Sequence, residues 1–207
     1  MKKITTLALA AILGMSMVAC NSTSSETTEE TAADSTALVD GTMNFDTTAS
    51  TVMWKGVLLG VKEHFGTVGL NEATLTVTDG KISGGKFTVD MTNITPTDST
   101  YDAESTPEKL VGHLSSGDFF QVEEFPTATF EVTGSEGDKV MGNLTVRGIT
   151  NPETVEGVMT ETVDGVTTIT GKLTFDRKKY DVAFDLPMKD MVLSNDVVLD
   201  IKLVSAQ

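Results

Sequence analysis

This chain of 207 residues has few of the residues that disulfides, metal sites and nucleic-acid surfaces require. It contains one cysteine and two histidines, so an intrachain disulfide is impossible, and a zinc site would need carboxylates to complete it. No metal-ligand spacing is present. The chain carries 15 Lys and Arg against 30 Asp and Glu, a formal net charge of −15. This negative charge argues against nucleic-acid binding and against docking on anionic headgroups through protein charge.

The N-terminal apolar run, residues 7–18, is too short to span a bilayer. It follows Lys2 and Lys3 and ends at small residues, a layout typical of a secretory signal. The segment Met17-Val-Ala-Cys20 resembles the lipobox of bacterial lipoproteins, in which the cysteine receives a lipid. The resemblance implies a signal peptide over residues 1–19 and a lipid anchor on Cys20. The alternative is an ordinary secreted protein with a chance cysteine.

Residues 20–46 are rich in Ser, Thr, Ala and Glu and contain no Lys or Arg. Such a composition buries too little apolar surface to offset the entropy of ordering, so it predicts a flexible tether. Residues 47–207 are the right size for one domain with a hydrophobic core. We therefore expect an exported domain of the bacterial cell envelope, attached to a membrane through Cys20.

The domain has a mostly two-residue hydrophobic period, which predicts half-buried strands. Turn-forming residues separate the runs at Asp79-Gly80, Ser83-Gly-Gly85, residues 134–138 and Asp164-Gly165. Roughly eight strands joined in this way predict an antiparallel meander. It either closes into a barrel or leaves two exposed edges. An eight-stranded barrel is wide enough to be filled by side chains or to hold one small ligand.

One segment interrupts the strands with helical features. Thr106 is a capping residue, Pro107 suits the first helical position, and Leu110, Val111 and Leu114 share one face. The pattern predicts a short helix that covers one side or mouth of the sheet.

Several short motifs in this order resemble the YceI-like family of bacterial periplasmic and lipid-anchored proteins. They cover essentially the whole domain: Trp54-Lys-Gly56, Gly84-Gly-Lys-Phe87, His113-Leu-Ser-Ser-Gly-Asp-Phe-Phe120, Phe125-Pro126, Phe130, Gly142-Asn-Leu-Thr-Val-Arg-Gly-Ile-Thr150 and Asp176-Arg177. The resemblance implies an all-β, elongated, lipocalin-like antiparallel barrel that binds a polyisoprenoid chain, such as that of an isoprenoid quinone. It implies no characteristic catalytic activity and no cofactor other than such a lipid. One departure, Lys178-Lys-Tyr-Asp181, affects the shape of one barrel mouth.

The candidate ligand-binding residues, in the pocket or at its rim, are mostly aromatic. They are Trp54, His64, Phe87, Phe119, Phe120, Phe130, Leu144, Phe175, Arg177 and Tyr180. Of the adjacent Phe119 and Phe120, we expect one on the core side of the helix and the other toward the cavity. Trp54 is equally compatible with core packing and with lining the pocket.

The polar candidates each have a structural alternative. Arg177 could hydrogen-bond a headgroup at the mouth, but pairing with Asp185 to close the barrel end is favoured. His113 is expected to cap or pack the helix. For His64 a surface position is favoured over a headgroup contact, and Tyr180 could offer its hydroxyl to a headgroup at the rim.

Three functions follow from these patterns. The favoured one is a carrier or buffer for a polyisoprenoid lipid. A hydrolase using Ser115 or Ser116 with His113 is disfavoured, because the residues are sequence neighbours and no nucleophile elbow is present. The third is a packed barrel, an interaction or stress-response lipoprotein without ligand. Homodimerisation through aromatic barrel mouths is compatible with the chain, but nothing in the sequence specifies it.

Overall fold

The computed structural model describes residues 38–185 and 192–206. In these ranges the chain forms nine strands, one α-helix and one 3₁₀ turn. In chain order they are β1 (Gly41–Asn44), β2 (Thr51–Leu59), β3 (Lys62–Thr78), β4 (Lys81–Pro96), α1 (Pro107–Ser115), β5 (Thr127–Glu136), β6 (Lys139–Val146), β7 (Ile149–Val163), β8 (Val166–Asp176), the 3₁₀ turn (Arg177–Tyr180) and β9 (Val192–Val204).

The strands close into an eight-stranded antiparallel barrel in the order β3-β2-β9-β8-β7-β6-β5-β4, with β4 pairing back to β3. The predicted all-β barrel is confirmed. Full closure leaves no unpaired edge in this ring, which removes the hazard of an open meander. The longest strand, β3, has 17 residues, equivalent to about 56 Å of extended chain at about 3.3 Å per residue. Such a strand makes the barrel elongated.

The ninth strand, β1, lies inside the segment predicted to be a tether. Gly41 pairs with Val77 of β3, and Asn44 pairs with Thr74. The same edge of β3 pairs with β2 over residues 62–68. Phe45, directly after β1, is 5% exposed. The strand structure therefore begins before residue 47, and the predicted boundary is wrong. A strand of four residues in a Ser- and Thr-rich stretch is too short for its alternation to stand out.

Two-residue turns join most neighbouring strands. At Asp79-Gly80 and Asp164-Gly165 both residues have positive φ, from 51° to 81°, as a type I′ hairpin turn requires. These two predicted turns are confirmed. Arg147-Gly148 makes a third turn of this kind between β6 and β7, with φ of 51° and 72°. Arg is unusual in the left-handed region, so composition gave no signal for this turn.

The turn predicted at Ser83-Gly-Gly85 is wrong. These residues lie within β4, where the pairing with β3 shifts register between Thr76 and Val77. The extra residue of β4 forms a bulge, a role that glycines in a strand interior often mark.

The helix is confirmed at its predicted position. Thr106 is the N-cap, and its side chain accepts a hydrogen bond from the Lys109 amide, while Pro107 is the first helical residue. One face of the helix lines the barrel interior. Its residues there are Leu110, His113 and Leu114, which are spaced three or four positions apart or adjacent on that face. The helix thus covers one end of the barrel. Within the described residues, no helix has the length and apolarity needed to cross a membrane.

The predicted alternations place their apolar members on the barrel interior. These are Val52, Trp54, Leu75, Val77, Phe87, Val89, Met91, Ala128, Phe130, Val132, Leu144, Val146, Leu173, Phe175, Val197, Leu199, Ile201 and Leu203. In β6, Gly142 lies so close to the Phe130 ring that a Cβ at this position would be only 2.5 Å from Phe130 Cζ. A larger residue at that position would push Phe130 out of place.

Candidate functional site

The barrel encloses an elongated cavity of about 520 Å³. This volume lies within the range of about 300–1,000 Å³ typical of small-molecule sites. Nine of the ten sequence-predicted residues line it: Trp54, His64, Phe87, Phe119, Phe120, Phe130, Leu144, Phe175 and Arg177. The structure brings these residues together around one space; that they contact a ligand stays a prediction.

The two ends of the cavity differ in chemistry. One end, which we call the polar end, is formed where β2 and β3 meet the start of β9 and the helix. Its polar lining side chains are Lys62, His64, Ser105, Arg177, Ser194 and Asp196. The opposite end, the apolar end, is lined by Leu75, Ile82, Val140, Ile169 and Leu203. Between the ends the lining is almost entirely apolar, with Thr129 and Thr170 as exceptions.

Arg177 closes the polar end. Its side chain is 2% exposed and donates to the carbonyl oxygens of Val182 (2.6 Å) and Ser194 (3.0 Å). It also donates to Asp185 Oδ1 at 3.3 Å and to the Leu193 carbonyl oxygen at 3.5 Å. These acceptors compensate the buried charge and tie the 3₁₀ turn to the start of β9. The predicted pairing with Asp185 is confirmed, and the guanidinium is occupied by protein acceptors.

Tyr180 is the one predicted residue that does not line the cavity. It is fully buried, packs edge-on against Phe175 with ring centroids 5.4 Å apart, and donates to Glu153 Oε1 at 3.1 Å. Burial and the Glu153 carboxylate raise the pKa of Tyr180 above its usual value. A position at the rim is therefore wrong, because the 3₁₀ turn ends the alternation of β8 and directs Tyr180 into the wall.

His64 belongs to a buried polar cluster that the sequence did not reveal. Its Nδ1 lies 3.3 Å and 3.4 Å from the two carboxylate oxygens of Asp98, whose side chain is 1% exposed. Asp98 also accepts from the hydroxyls of Thr100 and Tyr101, both at 2.6 Å, and from the Phe65 amide at 3.3 Å. His64 is only 18% exposed, so the favoured surface position is wrong.

The hydrogen bonds in this cluster determine its charge. Burial acts to raise the pKa of Asp98, but the bonds from Thr100, Tyr101 and His64 outweigh it and hold the pKa well below its usual range. Burial and the neighbouring Asp98 carboxylate raise the pKa of Tyr101. The cluster therefore consists of a carboxylate anion held by neutral hydroxyl donors and the His64 ring.

Phe119 and Phe120 both line the cavity, so the predicted split between core and cavity is wrong. They follow the helix in an aromatic group in which His113 packs edge-on against Phe119 and Phe184, with ring centroids 4.9 Å and 4.6 Å apart. The prediction that His113 packs the helix in place is therefore confirmed. Phe184, which the sequence interpretation left out, also lines the cavity.

Arg147 is a second residue whose role the sequence did not reveal. From its turn between β6 and β7 it donates to the carbonyl oxygens of Phe119 (3.0 Å) and Asp181 (2.5 Å) and to Gln121 Oε1 (3.1 Å). It therefore fixes the backbone that carries Phe119 into the cavity. Its presence in the quoted Leu-Thr-Val-Arg-Gly-Ile-Thr motif was the one available signal.

For Ser116, the geometry does not support the hydrolase alternative. The Ser116 hydroxyl donates to the main-chain carbonyl oxygen of His113 at 2.8 Å, while the His113 ring packs among aromatic side chains. The pair is thus not arranged as a nucleophile and its base. Among the residues that the structure describes, no three His, Cys, Asp or Glu side chains lie together as a metal cluster.

Comparisons with known proteins agree with this barrel. The YceI-like domain family matches residues 43–205. UPF0312 proteins of Staphylococcus aureus are 41% and 38% identical over 93 and 94 residues, which is 41% of this chain and 54% of each relative. The chain thus matches about half the length of these relatives.

Two solved structures share the fold. BcnA of Burkholderia cenocepacia has a TM-score of 0.61 and 19% identity, covering 78% of this chain and 99% of its own. A polyisoprenoid binding domain from Saccharophagus degradans, implicated in plant cell wall breakdown, has a TM-score of 0.58 and 11% identity, covering 78% and 96%. At these identities the likeness concerns the fold alone. The family match over most of the chain decides the assignment: this protein belongs to the YceI-like family.

Proposed function

We propose that this protein binds an apolar polyisoprenoid lipid, such as an isoprenoid quinone or another polyprenyl compound, inside its barrel. The observation that carries the proposal is the long cavity with an almost wholly apolar lining and polar groups at one end. A polyprenyl chain has the same division, a long hydrocarbon tail with one headgroup. The fold neighbour from Saccharophagus degradans, described as a polyisoprenoid binding domain, supports this ligand class.

Burial of the tail supplies the affinity. Each buried methylene-sized group contributes about 0.8 kcal/mol, so a five-carbon isoprene unit contributes about 4 kcal/mol before costs. Association costs about 4–15 kcal/mol, so two or more buried units are needed for useful binding. Few polar contacts are required, which suits this cavity.

We further propose that the protein works as a carrier or buffer in the bacterial cell envelope, anchored through a lipid on Cys20. The signal-like run and the lipobox-like Met17-Val-Ala-Cys20 support this location. The chain between Cys20 and Gly41 can span at most about 70 Å. An anchored barrel could therefore take up lipid at the membrane surface and hold it above that surface. The packed-barrel alternative does not fit, because the barrel interior contains a cavity of about 520 Å³.

The test is organic extraction and mass spectrometry of the protein purified without detergent from a bacterium that makes isoprenoid quinones. All described elements lie within residues 38–206, so a chain that starts at Asn21 keeps every contact between the described residues. A polyprenyl compound at about one molecule per chain is expected. A lipid-free protein that also rejects added quinone would contradict the proposal.

A matched pair of variants locates the lipid. Val197 lines the cavity opposite Gly56, where an added Cβ would meet nothing within 4 Å, whereas its neighbour Val198 alternates to the outer face. Val197→Trp should fill the cavity and abolish lipid recovery, and Val198→Trp should retain it. Equal recovery from both variants would place the lipid outside the barrel.

A further inference from the structure

The loop that joins β2 to β3 at the polar end of the barrel carries no polar side chain. Because Leu58 pairs with Lys62, the loop consists of Leu59, Gly60 and Val61. The Val61 amide donates to the Leu58 carbonyl oxygen at 3.0 Å, and Gly60 has a φ of 73°. The side chains are not buried: Leu59 is 52% exposed and Val61 is 53% exposed. The hairpin therefore presents two large apolar residues to solvent.

Val192 extends this apolar surface onto the neighbouring strand. It pairs with Leu59 at the start of β9 and is 55% exposed, while the next pair, Leu58 and Leu193, lines the cavity. Since side chains alternate along a strand, Leu59 and Val192 point to the outer face. We call Leu59, Val61 and Val192 the apolar tip. At this end of the barrel, apolar side chains continue from the cavity lining onto the outer surface.

The apolar tip differs from the other hairpin turns and from the other exposed apolar residues. Each of the two-residue turns carries one charged residue: Asp79, Asp138, Arg147 or Asp164. Val39 is exposed but precedes Asp40, and the exposed Met159 and Val163 have Glu161 between them. Contiguous exposed apolar patches mark interaction sites, whereas single exposed apolar residues are ordinary.

The local charge at the apolar tip suits a neutral lipid surface. The protein has a formal net charge of −15, yet residues 51–65 contain two lysines and one glutamate, a net charge of +1. Lys55 Nζ lies 3.8 Å from Glu63 Oε2, so one of the lysines is paired. The hairpin thus brings no excess of negative charge toward a membrane. Insertion into an uncharged bilayer requires only that apolar side chains leave water.

The chain that precedes the barrel is long enough for the apolar tip to reach a membrane to which Cys20 is attached. The first strand begins at Gly41, which pairs with Val77 near the far end of β3 from the hairpin. The 17 residues of β3 extend over about 56 Å at most. The chain from Cys20 to Gly41 can span about 70 Å. It can therefore run the length of the barrel, and a lipid anchor and an apolar tip can contact one bilayer together.

We propose that the apolar tip inserts into the surface of a neutral lipid bilayer and holds the polar end of the barrel against the membrane. Leu59, Val61 and Val192 enter the boundary between headgroups and acyl chains. The inference rests on the proposed attachment through Cys20. It adds the place where lipid is exchanged, since Leu58 and Leu193 connect the inserted side chains to the cavity lining.

The experiment measures which end of the barrel contacts a bilayer. A chain that starts at Asn21 has no cysteine, so one introduced cysteine carries a single NBD label. An N-terminal hexahistidine tag binds the chain to phosphatidylcholine vesicles that contain a nickel-chelating lipid, which replaces the anchor. The labelled sites are Val61→Cys in the apolar tip and Val163→Cys, a valine of similar exposure (56%) beside the opposite turn. With doxyl-labelled lipid in the bilayer, the label at Val61→Cys should lose emission and the label at Val163→Cys should not.

Further substitutions connect the loss of emission to the apolar tip. Leu59→Ser together with Val192→Ser, in the Val61→Cys chain, should abolish the loss. Met159→Ser, which replaces a 70% exposed side chain beyond the tip, is the matched control and should retain it. All of these side chains are more than half exposed, so the barrel should stay folded, and urea unfolding checks this.

Several outcomes would overturn the inference. They are no loss of emission at either label, equal loss at both, loss at Val163→Cys only, or a loss that survives the double serine substitution. A label at Val61→Cys whose emission depends on protein concentration without vesicles would assign the apolar tip to a second copy of the chain and would also overturn it. Lipid extraction tests the proposed function separately. A recovered polyprenyl compound without insertion leaves lipid binding intact, whereas insertion of a barrel that rejects every polyprenyl compound supports the tip and contradicts the function.

Discussion

Replacing Arg177 by Met tests what holds the polar end of the barrel closed. Met is similar in length and apolar but carries no donor. The substitution removes hydrogen bonds to the carbonyl oxygens of Val182, Ser194 and Leu193 and to the Asp185 carboxylate. Two of these acceptors, Val182 and Asp185, follow the 3₁₀ turn, and the other two, Leu193 and Ser194, lie at the start of β9. Loss of the hydrogen bonds should therefore loosen the whole barrel end.

The magnitude follows from the number and burial of these acceptors. A buried acceptor left without a donor costs about 1–3 kcal/mol. The Asp185 carboxylate is 63% exposed, so water can solvate it once Arg177 is gone, and its loss of a partner adds little. The Leu193 contact is long at 3.5 Å, and the acceptors lie near the barrel end, where water can replace part of the loss. We therefore expect a loss of about 3–5 kcal/mol in the free energy of unfolding. With a urea m-value of about 2 kcal/mol/M, the midpoint should fall by about 2 M.

The assay is urea unfolding followed by the fluorescence of Trp54, with Lys178→Met as the matched control. Lys178 Nζ bonds the other oxygen of the same Asp185 at 3.0 Å, but its side chain is 39% exposed. Exposed ion pairs contribute little, so the midpoint of Lys178→Met should barely move. If Arg177→Met lowers the midpoint no more than Lys178→Met does, the buried guanidinium does not hold the barrel closed.

Two further predictions concern the barrel wall and the polar cluster. Gly142→Ala should lower the free energy of unfolding by about 1–3 kcal/mol, because its Cβ would lie 2.5 Å from Phe130 Cζ. Gly84→Ala, whose Cβ would lie 3.7 Å from the nearest atom, is the control, and equal melting temperatures would contradict the packing argument. Asp98→Asn should destabilise the protein at pH 7 by about 1–3 kcal/mol, since the amide offers one acceptor oxygen in place of two. Because the folded pKa of Asp98 lies below its unfolded value of about 3.9, its contribution is present above pH 4 and lost as the pH falls further. The stability difference between Asp98→Asn and the unmodified protein should therefore shrink in acid, and a difference that stays constant down to pH 3 would contradict it.

The strand faces and the helix could be predicted from the sequence because each rests on local physics. A two-residue period reports which face of a strand is buried, and Thr106-Pro107 marks a helix start through bonds within one turn. The Arg177–Asp185 contact is similar in kind, since a buried cation needs a nearby anion and only eight residues separate the two. Such features depend on the neighbouring residues alone.

The His64–Asp98 pair could not be predicted because it depends on the barrel register. The two residues are 34 positions apart. The contact exists because β4 returns along β3, and the chain after Pro96 stays beside β3, where the Thr97 and Asp98 amides donate to the Phe65 carbonyl oxygen. In sequence Asp98 lies among Thr and Ser in what looks like a solvated loop. Nothing local distinguishes a carboxylate that will be 1% exposed from one in water.

Closure of the barrel explains why the polar groups collect at one end. Along the strands, backbone donors and acceptors are used in the ladder, so a buried charge in the middle of the barrel would find no partners. Where strands end, backbone groups are available: Arg177 donates to the Val182 and Ser194 carbonyl oxygens, and Asp98 accepts from the Thr100 amide. The middle of the cavity is therefore apolar by necessity, and a ligand with one polar group can be matched only when that group lies at an end.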